Sequence, residues 1–466
     1  MSHLTTEQAT AAVVTRDSQP ALRILFTSEG GGQLRPPFLL QRGTTSIGRV
    51  LPETGAGVVI DTDRQVSRLH ATISVDEQGV RILDAGSRNG IQVNGNRVTE
   101  SPLVDGDLIR LGNSFVVLRD EPLVHLDANI ETLVGRAPSI RALRYAIAQV
   151  APTRAMVLLL GESGTGKEVT ARALHSLSGR KGPFVAVNCA AIPETLAESQ
   201  LFGHTRGAFT GATPHSGYFR AAEGGTLFLD EVGELSATLQ PKFLRALEEG
   251  SVLPVGATQP IPVDVRVVAA TNRALGRSVA DGAFRGDLLA RLAEFSLELP
   301  PLRQRREDIL PLLMRALGSP TPQLHPDLVE RLLMYSWPFN VREVMKLGTE
   351  LQIKGSGLSV LGADLVRGRF ALTAGEPPAN VSESVGLAAS KSQNTTSGEE
   401  PVTRATERSA KSFERAAIPS PEDLRALLIK HNGVVANIAR EMNRSRTQVL
   451  RWLEQRGLSA DDYRIP

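Results

Sequence analysis

The segment Val157-Leu158-Leu159-Leu160-Gly161-Glu162-Ser163-Gly164-Thr165-Gly166-Lys167-Glu168 decides how the centre of this chain folds. Its four leading apolar residues run without alternation, which predicts a strand buried on both faces of a parallel sheet. Gly161–Lys167 then fits the pattern G-x-x-x-x-G-K, and helical periodicity opens at about Glu168. Strand, glycine loop and helix form a cradle in which backbone N–H groups and the helix N-terminus hold phosphates. Lys167 would reach the β/γ oxygens. The expected nucleotide-binding residues are therefore Gly161, Glu162, Ser163, Gly164, Thr165, Gly166, Lys167 and Glu168, with ATP and Mg2+ as cofactors. Glu168 stands where a Ser or Thr usually ligates magnesium, so the metal is expected on other groups and on water.

Downstream, Thr226-Leu227-Phe228-Leu229-Asp230-Glu231 is an apolar strand that ends in two carboxylates. Behind a phosphate loop, Asp230 is expected to hold the metal, and Glu231 to orient and polarise the attacking water. Apolar runs alternate with helical patterns from 128 to 370, which predicts an α/β domain with a buried parallel sheet.

The flanks read differently. Residues 21–120 contain short runs such as Val80-Arg81-Ile82-Leu83 and Phe115-Val116-Val117-Leu118 between Gly, Asn and Asp turns, which argues for a β-sandwich. Residues 371–417 are rich in Ser, Thr, Glu, Ala and Pro and are expected to be a disordered linker. Residues 418–466 return to helical periodicity, and residues 1–20 are expected to be loose. The fold class is thus multidomain: a sandwich, an α/β ATPase with a helical lid, and a C-terminal helical module.

The 466 residues carry a formal net charge of +2, so any nucleic-acid site must be a local patch. One such patch lies between 440 and 456, where five Arg outnumber two Glu. The sole cysteine, Cys189, excludes an intrachain disulfide and suits a reducing cytoplasm. No apolar run approaches the ~18–20 residues of a membrane span, so no membrane partner is expected.

Between the phosphate loop and the acidic strand lies Gly207-Ala208-Phe209-Thr210-Gly211-Ala212. A Phe and a Thr on a Gly-flanked loop suggest a contact tip. This hexapeptide, with Gly161–Glu168 and the acidic strand, resembles the bacterial enhancer-binding proteins, AAA+ ATPases that activate sigma-54 RNA polymerase. The resemblance covers about 130–370. It implies that Gly207, Ala208, Phe209, Thr210, Gly211 and Ala212 contact sigma-54. It implies that Asn188 restrains the catalytic Glu231 and that Asn272 is the first sensor. It implies that Arg285 and Arg291 are arginine fingers for a neighbouring subunit, hence a homo-oligomeric ring. Arg342, in Trp337-Pro338-Phe339-Asn340-Val341-Arg342-Glu343, falls at the second sensor. Phe339 and Lys346 depart from the usual Gly and Asn of that lid.

Gly48-Arg49, Val66-Ser67-Arg68-Leu69-His70, Asp84-Ala85-Gly86-Ser87-Arg88-Asn89-Gly90 and Asn94-Gly95 together resemble a forkhead-associated (FHA) domain over about 22–119. That implies phosphothreonine recognition, of a phosphorylated protein or its Ser/Thr kinase. Arg49 and Arg68 supply charge-assisted donors and Ser67 a hydroxyl. Asn89 would hold the peptide backbone, while His70 and Gly48 brace the loops. The C-terminal pattern resembles a Fis-type helix-turn-helix. Ser445 would cap its last helix, and Arg446, Thr447, Gln448 and Arg451 would meet enhancer DNA. Arg444 and Val434 depart from that pattern. The whole reads as a cytoplasmic sigma-54-dependent activator. Its alternatives are an AAA+ remodeller of another class and a phosphopeptide-binding adaptor with an inert ATPase.

Overall fold

A computed structural model describes residues 18–29, 36–50, 56–124, 126–208, 213–366, 421–431, 438 and 453. Contacts divide the chain into Met1–Ser382 and Glu383–Pro466.

The first unit begins with eleven strands: β1 (Ser18–Phe26), β2 (Phe38–Leu39), β3 (Gly43–Gly48), β4 (Ala56–Val59), β5 (Ala71–Asp76), β6 (Gly79–Asp84), β7 (Ile91–Val93), β8 (Asn96–Val98), β9 (Glu100–Leu103), β10 (Leu108–Leu111) and β11 (Ser114–Pro122). They form two packed sheets, ordered β2-β1-β11-β10-β7-β8 and β4-β3-β5-β6-β9. Because β1 starts at Ser18, it includes the last residues of the stretch 1–20 expected to be loose. Ile47, Ile73, Ile82, Ile109 and Val116 fill the space between the sheets. A half-buried strand should alternate buried with exposed residues. β11 does not: Ser114–Arg119 are all buried. Val116 and Leu118 face the sandwich core, whereas Phe115 and Val117 join a second cluster described below.

The central sheet has β12 (Val157–Leu160), β13 (Phe184–Asn188), β14 (Thr226–Asp230), β17 (Arg266–Thr271) and β18 (Phe295–Glu298) in the order β13-β14-β17-β12-β18. A short hairpin of β15 (Ser251–Val252) and β16 (Ile261–Pro262) lies between β14 and β17. Every pairing in the central sheet is parallel. Continuous apolar runs serve this sheet because alternate residues enter different cores. Leu158, Leu227, Leu229 and Val267 enter one, and Val157, Leu159, Phe228 and Val268 the other.

A helical lid follows, with helices Ile309–Leu317, Pro326–Met334 and Asn340–Lys354 and a small parallel pair, β19 (Gln323–Leu324) and β20 (Val360–Leu361). Trp337 is fully buried within it and donates from Nε1 to Leu332 O at 2.9 Å. The lid core includes Leu25, Phe26, Leu108, Phe115 and Val117 from the sandwich, beside Leu302, Ile309, Leu313 and Leu347. Sandwich and lid therefore share one apolar core.

The second unit shows a helix, Pro421–Lys430, whose Leu424 and Leu428 are buried, as the spacing of the leucines predicts. Ile438 and Leu453 are also buried. The expected linker 371–417 and the expected DNA-contact residues Arg446, Thr447, Gln448 and Arg451 lie outside the described residues. No helix among the described residues is long and apolar enough to cross a membrane.

Candidate functional site

The phosphate loop joins β12 to the helix Lys167–Leu177. Gly164 and Gly166 hold φ of +78° and +112°, a region that other residues enter only with strain. Lys167, 7% exposed, donates from Nζ to Gly161 O at 2.9 Å and lies 3.6 Å from Glu231 Oε1. The two ends of the acidic reading thus meet: Lys167 at the head of one helix, Asp230 and Glu231 at the end of β14.

Glu231 itself sits at φ +53°, a left-handed setting rare for a residue with a side chain. Its Oε2 accepts from the backbone N–H of Asn272, just past the end of β17, at 3.2 Å. Burial first, and then the Glu231 carboxylate, push the Asp230 carboxyl above its ordinary range, with Lys167 opposing. Two adjacent carboxylates suit a hard cation that completes its shell with water and phosphate oxygens. Among the described residues no group of three or more His, Cys, Asp or Glu converges as a ready-made cage. The protein therefore offers one or two ligands, which fits a magnesium ion brought by nucleotide.

Asn188, expected to restrain Glu231, stands beside it at the end of β13. It pairs with Asp230 across the β13–β14 register, but its Oδ1 accepts from Ala190 N at 2.9 Å and caps a 3-10 turn. No hydrogen bond joins it to Glu231 among the described residues. Lys167 and the Asn272 amide constrain Glu231 instead. Cys189 is buried, and burial with the nearby Asp230 and Glu231 carboxylates pushes its thiol up to about 12.

The lid comes down on the phosphate loop. Arg342 donates to Ser163 Oγ at 3.0 Å, and its backbone N–H reaches Gly164 O at 3.3 Å. A Cβ on Gly164 would meet Phe339 O at 2.2 Å. Two further residues complete this closure, and neither was singled out from the sequence. Asn340, fully buried at φ +51°, donates to Glu162 Oε2 at 3.1 Å and Ser163 O at 3.0 Å, and accepts from Leu302 N at 2.7 Å. Arg303 grips Glu162 through two bonds of 2.8 and 2.6 Å, holding that carboxyl below its usual range. The signal for Asn340 was its place beside Arg342 in Trp337–Glu343.

Arg285 and Arg291 lie at the start and near the end of the helix Gly286–Leu292. Arg285 is bound to Asp287 at 2.7 Å and Arg291 to Glu294, and neither bonds to the phosphate loop of its own chain. In the candidate contact loop, Gly207 and Ala208 are placed, while Phe209, Thr210, Gly211 and Ala212 lie outside the described residues. The loop's neck is an antiparallel bridge between His204 and His215, whose rings stack with centroids 5.9 Å apart.

On the sandwich, β3 ends against the loop before β5. Arg49 N donates to Ser67 O at 3.0 Å and Val50 N to Arg68 O at 3.2 Å. A Cβ on Gly48 would stand 1.9 Å from Arg68 O, so only glycine permits this approach. His70, fully buried, accepts at Nδ1 from Ser67 N (3.0 Å) and lies 3.1 Å by Nε2 from Gly90 O, bracing both loops as expected. Ser67 Oγ accepts from Arg88 N at 3.1 Å. Arg49 Nε is buried and has no hydrogen-bond partner. Asn89 donates to Gln65 O and Gln65 Oε1, both at 2.7 Å. Arg49, Ser67, Arg68 and Asn89 therefore gather on the loops at one end of the sandwich.

Comparison with known families matches residues 133–298 to the sigma-54 interaction domain and residues 45–112 to the FHA domain. Among curated relatives, the transcriptional regulator NtrC of Azospirillum brasilense is 47% identical over 250 residues, 52% of each chain. The sigma-54-dependent transcriptional regulator SfnR of Pseudomonas fluorescens is 49% identical over 49% of this chain and 65% of its own. The chain spans about half the length of the curated relatives it matches. A crystal structure of NtrX from Brucella abortus aligns at a TM-score of 0.50 and 28% identity, covering 70% of both chains.

Proposed function

We propose that this chain, which carries a sigma-54 interaction domain joined to an FHA domain, is a transcriptional activator that hydrolyses ATP to remodel sigma-54 RNA polymerase. The observation that carries the reading is the convergence of Lys167, Asp230 and Glu231 past the C-terminal ends of β12 and β14, beside the loop that Arg342 contacts. Lys167 neutralises the β/γ oxygens. Asp230 is the residue that would hold Mg2+, which when bound would supply charge neutralisation for the transfer. Glu231, fixed by the Asn272 amide, takes the proton of the attacking water. Arg285 and Arg291, on an exposed helix, would exchange their local carboxylates for the γ-phosphate of a neighbouring subunit in a ring. The Phe209–Thr210 loop would deliver the resulting motion to sigma-54. Enhancer DNA would be held by the C-terminal module through Arg446, Thr447, Gln448 and Arg451. Phosphothreonine at Arg49, Ser67, Arg68 and Asn89 would be the input.

Two substitutions separate binding from chemistry. Lys167→Ala should lose ATP binding, because its main cation is gone. Glu231→Gln should bind ATP and turn it over at least a hundredfold more slowly, the usual scale of a lost general base. Wild-type turnover in Glu231→Gln would remove the base from Glu231. Thr210→Ala should keep hydrolysis and lose open-complex formation, read by permanganate footprinting on a sigma-54 promoter.

A further inference from the structure

The outward side of β11 carries two ion pairs that reach different bodies of the ATPase. Arg119, 7% exposed at its side chain, donates to both carboxylate oxygens of Glu307 in the lid, at 2.9 and 2.7 Å, and to Gln304 O at 2.8 Å. Two residues on, Glu121 is fully buried and accepts from Arg141 on the helix Pro138–Val150 of the ATPase core. Its second oxygen is held by Arg23 of β1 at 2.6 Å. In a strand, residues two apart share a face, so one face of β11 grips lid and core together.

Other contacts reinforce each grip. From the lid, Arg306 donates to Asn94 Oδ1 at 3.1 Å and Gly106 O at 2.9 Å. From the sandwich, Arg110 bonds to Glu330 on the lid helix Pro326–Met334. Phe26, Phe115 and Val117 of the sandwich share one buried apolar core with Leu302 and Ile309 of the lid. A cavity of about 570 Å³ marks the three-way junction, lined by Arg119 and Asp120 of the sandwich, Pro138 and Ser139 of the core, and Arg303 and Glu307 of the lid. The nucleotide cleft opens between the same two bodies, since the lid rests on the phosphate loop through Asn340 and Arg342.

We propose that the sandwich is a strut across the nucleotide cleft: β11 ties the lid through Arg119 and the core through Glu121, and this tie limits the rate at which bound nucleotide leaves. Lid and core must part to release a ligand held between them, and packed bodies move as units. A body bonded to both opposes that movement. The inference rests on the cleft being a nucleotide site, which Lys167→Ala tests separately through ADP binding.

The test is ADP release from the full chain, followed by stopped-flow fluorescence with a fluorescent ADP analogue chased by excess ADP. Arg141→Gln removes the core tie. Arg306→Gln weakens the lid tie and leaves the buried Arg119–Glu307 pair intact. Each should speed release about threefold to tenfold, the net scale of one ordinary hydrogen bond. Release within twofold of wild type in both variants, with cooperative unfolding retained, overturns the strut. Hydrogen exchange of the unmodified chain gives a second reading should a variant not fold. Saturating ADP should slow exchange in β10 and β11 as well as in the lid, and unchanged protection of those strands overturns the proposal. Loss of ADP binding by Lys167→Ala, with no change in release in the strut variants, would uphold the nucleotide site and reject the strut alone.

Discussion

Several single residues carry constraints that their chemical type alone does not reveal. At Gly48 an added methyl would stand 1.9 Å from the backbone oxygen of Arg68. Relief would break the two backbone bonds that hold Arg49 and Val50 to the neighbouring loop. Gly48→Ala should therefore cost about 1–3 kcal/mol, the range of overpacking, measurable by denaturant titration, and should weaken phosphothreonine-peptide binding. Unaltered stability would mean that the loops separate freely. Cys189 gives a second test. Its thiol is pushed up to about 12, so the reactive thiolate is suppressed at any pH below that. A disulfide reagent at pH 8 should leave the folded protein unlabelled and label one thiol per chain after unfolding in guanidinium. Rapid labelling of the folded protein would contradict the burial. The sequence identified His70 as a brace. The partner of Asn188 was not legible, because a motif fixes which residue stands at a strand end but not which donor its carboxamide finds.

Elements were legible where one physical cause dominates. β12 and β14 declare themselves by unbroken apolar runs, and the glycine loop by its spacing. The lid was harder. Its sequence advertised Arg342, yet the contact with the phosphate loop depends equally on Asn340, whose left-handed backbone leaves no trace in composition. Asn340→Ala would leave the Leu302 amide unpaired in a buried place and remove both bonds to the phosphate loop. The expected cost is about 1–3 kcal/mol in unfolding free energy, with weakened ADP affinity by calorimetry. Equal affinity would show that lid and loop are held by Arg303 and Arg342 alone. β11 was legible only as a strand. Alternation is the signature of one buried face, and β11 buries both, so its outward residues looked like ordinary apolar and charged positions.

At the scale of the whole molecule, the sequence separates into a sandwich, an α/β domain with its lid and a helical tail, each with its own texture. The union of the first two was invisible, because it rests on pairs such as Arg119–Glu307, 188 residues apart. The proposed phosphopeptide site lies on the far loops of the sandwich. Arg49→Ala removes a charge-assisted donor, worth about 1.5–3 kcal/mol, and should weaken a phosphothreonine peptide by roughly ten- to a hundredfold. Calorimetry with a phosphothreonine peptide library measures this, beside a promoter reporter for output. Full affinity in both Arg49→Ala and Ser67→Ala would move the input elsewhere.

The apolar core that sandwich and lid hold in common sets terms for anyone who cuts or recombines this polypeptide. A fragment begun after residue 122 would present Leu302, Ile309 and Leu313 to water where Phe26, Phe115 and Val117 had covered them. Uncovered apolar surface of this kind drives self-association. Exchanging the sandwich for another sensory module would transplant the ligand and strand the lid, unless the newcomer brought a matching greasy face, an arginine for Glu307 and an acid for Arg141. For this chain the sensor is inherited with its seat.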